Sequence, residues 1–372
     1  MTVLDIPAAR IADLDDADLR ELVARLCEAE RERYGGHRTE VSWGGAPTTP
    51  DGGIDVMVQL ATDFVPNPVL PRSVVGFQVK KSDLRQGAVV AEMCPGGSLR
   101  RSIEDIARNS GAYLIVSVGA DCSRTMLEDR RNAMRQALGG HPDLAALYTD
   151  FIDRHALARW VSAHPAVSLW LRERLGLPSL RGWAGYSQWS STPKGVDDTL
   201  ICEDGLSFTL PGPTLFKAVP DALEAIRALV RDSKKAIRIA GLSGIGKTRL
   251  AQALFEKTSV GNPIPQSWAV YTDIGRDPEP SPLQMLETLI SLDRPAVLIV
   301  DNCPPDSHRA LADRLAKSDT RVSVITIEYD VRDDRPEETE VIRIEAEGSD
   351  IVEALIRRRH PGRSLSDARR LA

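Results

Sequence analysis

At 372 residues the chain exceeds what one hydrophobic core organises, and its apolar and charged fractions are those of ordinary globular proteins, so two or three domains are expected. A net charge of −6 excludes a broadly basic surface and leaves any nucleic-acid contact to a local patch. The five cysteines are scattered, odd in number and lack a CxxC pair, which excludes a disulfide framework or zinc site and suits a reducing cytoplasm. Residues 1–12 do not read as a signal peptide, and no uninterrupted apolar run approaches the length of a membrane span.

A first helix is expected over 16–34, where Leu19, Leu22, Val23, Leu26 and Cys27 recur three and four apart. Four residues beyond Leu26 the stripe reaches Glu30, a carboxylate either frayed out at the helix end or aimed into a site. The turn Asp51-Gly52-Gly53-Ile54-Asp55 leads into an alternating strand over 56–60, and a second strand follows over 74–81. Together they read as a hairpin with Asp55 at the start of one strand and Gln78 and Lys80 on one face of the other.

A helix over 98–110, a buried strand over 112–118 and a helix over 123–138 continue an α/β core. Two further helices are expected over 150–164 and 167–175. Arg100, Arg101, Arg130, Arg131 and Arg135 are either phosphate contacts or a solvated helix face. Trp160 and Trp170 read as core, and the six histidines lack ligand spacing. Over 179–214 the composition shifts to Gly, Pro, Ser and Trp, the mark of a joint between domains, with short strands over 199–202 and 206–210 inside it.

The second half centres on Gly241-Leu242-Ser243-Gly244-Ile245-Gly246-Lys247-Thr248, which fits the phosphate-binding loop pattern. A short buried strand precedes it, and the run from Arg249 opens a helix. Glycines let backbone N–H groups turn onto a polyphosphate, Lys247 would reach the β- and γ-phosphates, and the Thr248 hydroxyl would sit on Mg²⁺. A helix over 220–230 precedes the loop, and strands are expected over 267–272 and 321–329. Ser281, Pro282 and Gln284 form a helix start. The strand 296–301 ends in Asp301, a Walker B pattern that would hold the Mg²⁺ water shell. The stretch 341–344 is expected as the last strand of this sheet, and 349–372 begins a helical module that stops mid-helix, so the chain is expected to be truncated.

The hairpin with Asp55, Gln78 and Lys80 resembles the Mrr-like branch of the PD-(D/E)xK nucleases, in which Gln takes the place of the usual Glu. That resemblance implies a Mg²⁺ held by Asp55, Glu30 and the Val79 carbonyl, with Lys80 orienting or activating the attacking water. Gln78 leaves one negative charge fewer around the metal. The phosphate loop, Walker B strand, sensor strand and helical lid resemble the STAND NTPases, and the fusion is similar to bacterial antiviral STAND proteins. In that family a C-terminal repeat domain, expected to be missing from this truncated chain, recognises a phage protein; the ATPase then oligomerises and switches on the effector.

The implied architecture is a restriction-endonuclease-like α/β domain (1–178), a joint (179–214), a P-loop parallel-sheet domain (215–346) and the start of a lid (347–372). The implied function is an ATP-gated, Mg²⁺-dependent endonuclease acting on double-stranded DNA as a homo-oligomer, such as a tetramer, in the cytoplasm and away from membranes. ATP would contact Gly241, Ser243, Gly244, Ile245, Gly246, Lys247, Thr248 and Arg249, with Asp301 completing the nucleotide Mg²⁺ site. Asn302 follows Asp301 where fast ATPases often carry a Glu, implying slow hydrolysis, and Glu328 stands where relatives tend to have a sensor Arg. The alternatives are a modification-dependent restriction factor whose NTPase moves DNA, and a nucleotide-gated scaffold that does not cut.

Overall fold

A computed structural model describes residues 3–33, 40–43, 52–61, 64–139, 144–177, 180–191, 206–212, 214–216, 218–232, 235–242, 245–256, 261–328 and 339–346. The chain is α/β and divides into two units, Met1–Pro178 and Ser179–Ala372, each with its own mixed sheet.

The first unit runs α1 (Ala8–Ile11), α2 (Asp16–Arg33), β1 (Glu40–Trp43), β2 (Val56–Gln59), β3 (Val74–Lys80), α3 (Gln86–Met93), α4 (Arg101–Arg108), β4 (Ala112–Ser117), α5 (Arg124–Ala137), β5 (Tyr148–Asp153), α6 (Arg154–Ser162) and α7 (Pro165–Arg174). Its sheet has the order β1-β2-β3-β4-β5, antiparallel through β3 and parallel from β3 to β5. The α2 stripe of Leu19, Leu22, Val23, Leu26 and Cys27 is fully buried against Val56, Val75 and Phe77, in a cluster shared with residues of α6 and α7. The opposite sheet face presents Tyr113, Ile115 and Phe151 to Val89, Ile103, Ile106 and Met134 of α3, α4 and α5. Covering both faces lets β4 be apolar from Ala112 to Val116, because side chains on either side of it are buried.

Two expectations change in this unit. Residues 150–153, read as the opening of a helix, belong to β5, and Asp153 ends that strand by capping α6, its carboxylate accepting from the Ala156 N–H at 2.9 Å. The helix α3 carries no side-chain cap and is only eight residues long, too short for a periodic signal, and the sequence does not announce it.

The second unit runs β6 (Trp183–Gly185), α8 (Tyr186–Trp189), β7 (Leu206–Leu210), β8 (Thr214–Phe216), α9 (Val219–Asp232), β9 (Ala236–Gly241), α10 (Lys247–Ala253), β10 (Ala269–Asp273), α11 (Pro282–Ser291), β11 (Ala296–Asp301), α12 (Pro305–Ala316), β12 (Val322–Glu328) and β13 (Thr339–Ala346). The sheet order is β6-β10-β11-β12-β9-β13-β7-β8. Five strands, β10, β11, β12, β9 and β13, are parallel, and antiparallel strands flank them on both sides. The chain leaves β9, crosses to β10, walks back through β11 and β12, and then passes over β9 to β13. Connections therefore diverge at β9, the place where α/β sheets form a crevice at the strands' carboxyl ends.

The stretch expected as a joint, 179–214, supplies β6, β7 and the first residue of β8 to this sheet, β7 forming over the expected 206–210. The Thr272 hydroxyl donates to the Gly182 carbonyl at 2.9 Å and the Trp183 indole to the Pro280 carbonyl at 2.8 Å, which ties the β6 segment to the sheet. The strand expected as the last of the sheet, β13, comes last in chain order and lies between β9 and β7. The capping box of α11 forms as read: the Ser281 hydroxyl accepts from the Gln284 N–H, and the Gln284 side chain accepts from the Ser281 N–H. The strand expected over 199–202 and the module over 349–372 lie outside the described residues. Among the described residues no helix is long and apolar enough to cross a membrane.

Candidate functional sites

In the second unit, β9 delivers the glycine-rich loop and β11 delivers Asp301. Gly241 closes β9 where a Cβ would meet the Ile344 carbonyl oxygen at 2.7 Å, so only glycine lets β13 pair this closely beside the loop. Gly246 turns the chain into α10 with φ of 98°, a left-handed conformation that favours glycine. The Thr248 hydroxyl donates to Asp301 Oδ2 at 2.8 Å. Lys247, buried beneath the loop, donates from Nζ to the Gly241 and Leu242 carbonyls at 2.7 and 2.8 Å. Ser243 and Gly244 lie outside the described residues.

Burial raises the Asp301 carboxyl above the usual carboxylate range, against the hydrogen bonds from Thr248, the Asn302 N–H and Tyr271. Burial also lowers the Lys247 ammonium, against the attraction of Asp301. A half-buried hydroxyl and a buried carboxylate meeting at one point form a hard oxygen donor set that suits Mg²⁺, with a lysine close by in sequence and space.

Three neighbours of this loop take other roles. Arg249, expected on the nucleotide, pairs with Glu256 just past the end of its own helix, Nη2 to Oε2 at 3.0 Å. Glu328, at the sensor position, forms a buried ion pair with Arg238 of the adjacent strand β9. Asn302 adopts φ of 51° and donates from Nδ2 to Asp273 Oδ1 at 2.9 Å. Asp273 is the register partner of Asp301, which places a second carboxylate at the same sheet end.

In the first unit, Asp55 precedes β2 and meets the exit of β3. Its Oδ2 accepts from Gln78 Nε2 and from the Val79 N–H, both at 2.7 Å, and its Oδ1 pairs with Arg20 Nε at 2.7 Å. Val79 therefore approaches Asp55 through its N–H. Lys80 Nζ lies 3.2 Å from Glu92 Oε2 on α3, and Glu92 Oε1 takes Arg100 Nη2 at 3.0 Å. Arg100 lies across Gly53, where a Cβ would meet its Cδ and Nε at 2.7 Å, so the second glycine of the DGG turn is what lets this arginine pass.

Asp55, Gln78 and Lys80 thus gather at one end of the sheet, as the hairpin reading expects, but Glu30 does not join them. It stands ten positions beyond Arg20 on α2, about 15 Å along the helix axis. Its carboxylate accepts from Trp160 Nε1 at 3.2 Å and Asn67 Nδ2 at 3.3 Å and contacts His164 Nε2 at 3.0 Å. The stripe carries Glu30 into the α6–α7 layer, because a residue continuing a buried stripe is buried with it. His164, given no role in the sequence, is one of its partners.

The arginines proposed as phosphate contacts divide. Arg130 is buried, donating to the Leu84 carbonyl and pairing with Asp83, while Arg131 pairs with Asp150 and Arg135 with Glu128. Arg20, Glu92, Arg100 and Tyr113 are the site neighbours that sequence reading missed or placed differently. Only the packing of α2, α3 and the start of α4 against the folded sheet brings them together.

A divalent cation fits the first site on one count. Gln78 Oε1 is buried beside Asp55 with no hydrogen-bond partner, an open oxygen of the type a hard cation takes. Among the described residues no three His, Cys, Asp or Glu side chains gather into a cation site.

No protein-family model matches the chain, and no curated protein matches it. Among solved structures it is similar to a chain of the E. coli MS115-1 HORMA:CdnC:Trip13 complex, at 14% identity and a TM-score of 0.25. That similarity covers 41% of this chain and 59% of the other, so less than two thirds of the neighbour is spanned. At that level it carries no statement of fold or function for this chain.

Proposed function

We propose that this chain is a nucleotide-gated DNA nuclease, in which a P-loop ATPase-like second unit binds a Mg²⁺–nucleoside triphosphate and controls phosphodiester cleavage by a restriction-endonuclease-like first unit. The observation that carries the reading is the meeting of Thr248 and Asp301, 53 residues apart, at 2.8 Å. The motif pattern specifies each residue separately, and the fold joins them beside Lys247. Thr248 and Asp301 hold the cation, Lys247 exchanges its loop carbonyls for phosphate oxygens, and the glycine backbone encloses the phosphates.

The convergence of Asp55, Gln78 and Lys80 supports the nuclease half. A divalent cation there supplies polarisation of the phosphodiester and an activated water. Asp55 and Gln78 hold it, and Lys80 orients the attacking water and offsets charge developing on the phosphate. Double-stranded DNA as substrate, self-association, a phage-protein trigger and action in the cytoplasm belong to the same proposal and rest on the family resemblance.

The test is fluorescent ATP-analogue binding with Mg²⁺, alongside plasmid nicking, for the wild type, Lys247→Ala and Lys80→Ala. Lys247→Ala is expected to weaken nucleotide binding by about ten- to a hundredfold, the range for a hydrogen bond to a charged group. Lys80→Ala is expected to abolish nicking and leave nucleotide binding intact. Undiminished binding in Lys247→Ala overturns the nucleotide reading. Nicking that survives in Lys80→Ala overturns the nuclease reading.

A further inference from the structure

We propose that Glu92, on α3, is the second carboxylate of the metal site in the first unit, acting with Asp55 and the Gln78 amide oxygen in the role that sequence pattern gives to Glu30. The proposal rests on the reading of this unit as a metal-dependent nuclease. Glu30 is committed to Trp160, His164 and Asn67 in another layer of the fold. Glu92, by contrast, touches the site's own lysine, at 3.2 Å.

Several independent features converge on Glu92. Arg100 grips it twice, from Nη2 to its carboxylate at 3.0 Å and from Nε to its backbone carbonyl at 2.6 Å. The same arginine packs over Gly53, two residues before Asp55, so the guanidinium that holds Glu92 also lies against the turn that presents Asp55. Two buried polar atoms in this region lack a hydrogen-bond partner, Gln78 Oε1 and Tyr113 Oη. Native interiors seldom leave such groups unpaired, and a cation with its ordered waters would satisfy both. Burial raises the Tyr113 hydroxyl, and the charges of Glu92 and then Asp55 raise it further, against Arg100, so both carboxylates act on one ring.

The charge balance explains how such a site stays quiet. Asp55 is matched by Arg20, and Glu92 by Lys80 and Arg100, so three cations face two carboxylates. A divalent ion must compete with guanidinium groups for the same oxygens. Arg20 and Arg100 are each about a quarter exposed, and exchanging their carboxylate partners for DNA phosphates would release the carboxylates as substrate arrives.

Mn²⁺ binding to the full 372-residue protein without nucleotide, followed by calorimetry and by the electron spin resonance of free Mn²⁺, tests this without any activity measurement. Asp55→Asn identifies the binding event that belongs to the first unit. Glu92→Gln is expected to weaken that event at least about tenfold, and Glu30→Gln to leave it unchanged. Arg100→Gln is expected to tighten it several-fold, a gain that a misfolded protein cannot produce and that disappears when Glu92→Gln is added. Unchanged affinity in Glu92→Gln, with loss in Asp55→Asn, overturns the role of Glu92 and leaves the metal reading standing. Loss in Glu30→Gln with none in Glu92→Gln restores Glu30 to the role. If Asp55→Asn alters no Mn²⁺ binding, the metal-nuclease reading fails and this proposal with it.

Discussion

The Thr248 hydroxyl donates to the Asp301 carboxylate at 2.8 Å, joining the first turn of α10 to the end of β11. The carboxylate also accepts from the Tyr271 hydroxyl at 3.2 Å and from the Asn302 N–H at 2.9 Å, and Tyr271 stacks on Trp189 with ring centroids 4.6 Å apart. Asp301 is thus fixed on several sides before any ligand arrives. Such preorganisation lowers the entropic cost of binding.

That placement costs stability at neutral pH. Burial raises the Asp301 carboxyl in the folded protein, so the folded state holds this proton more tightly than the unfolded chain does. The stability linked to the group is fully present below its unfolded pKa and is lost as pH rises through the raised value. Asp301→Asn, which cannot ionise, is expected to melt higher than the wild type at pH 7, with the gap closing as pH falls. Thermal unfolding across pH 4–8 reads this directly. The same variant is expected to lose Mg²⁺-dependent nucleotide binding.

Gly241→Ala is expected to destabilise the protein by about 1–3 kcal/mol, the usual cost of forcing extra volume into a packed interior. The added Cβ would stand 2.7 Å from the Ile344 carbonyl oxygen, which can yield only if β13 moves from β9. Equilibrium denaturation measures the loss, and a variant as stable as the wild type would contradict it.

The pair Arg238–Glu328 lies buried between β9 and β12. Glu328→Gln leaves a buried guanidinium without its counter-charge and is expected to cost about 3–5 kcal/mol. Replacing both residues with Leu and Met is expected to cost far less, because no charge is then stranded. A double-mutant cycle in urea separates the two cases, and additive single and double losses would rule out coupling.

Glu30→Ala strips an acceptor from the Trp160 indole, the Asn67 amide and His164 at once. The expected destabilisation is about 1–3 kcal/mol from unsatisfied buried groups. Lower urea midpoints at unchanged slope would be the signature. A midpoint equal to the wild type would show that Glu30 does not hold α2 to α6 and α7.

The fold was legible wherever one residue period governed a stretch. The α2 stripe, the apolar strands β4, β9, β11 and β12, and the capping box of α11 are local patterns, and each forms close to its expected bounds. Failures fell where local pattern is silent. The strand β5 carries polar residues that a buried strand tolerates only because Asp150 and Asp153 find partners in Arg131 and the α6 cap. The strand β6 sits in a Gly- and Trp-rich stretch that local pattern reads as a joint, and β7, expected over 206–210, forms there as part of the large sheet.

By itself the sequence determined the chemistry available at each strand end: the glycine loop with Lys247 and Thr248, Asp301 after β11, and Asp55, Gln78 and Lys80 on one hairpin. Tertiary structure decided which of these groups meet. It seated Glu30 against Trp160 and His164, brought Glu92 and Arg100 to Lys80, and paired Glu328 with Arg238. Periodicity fixes the face on which a side chain emerges, whereas the distance between two side chains on different elements depends on register and helix packing, which no local pattern encodes.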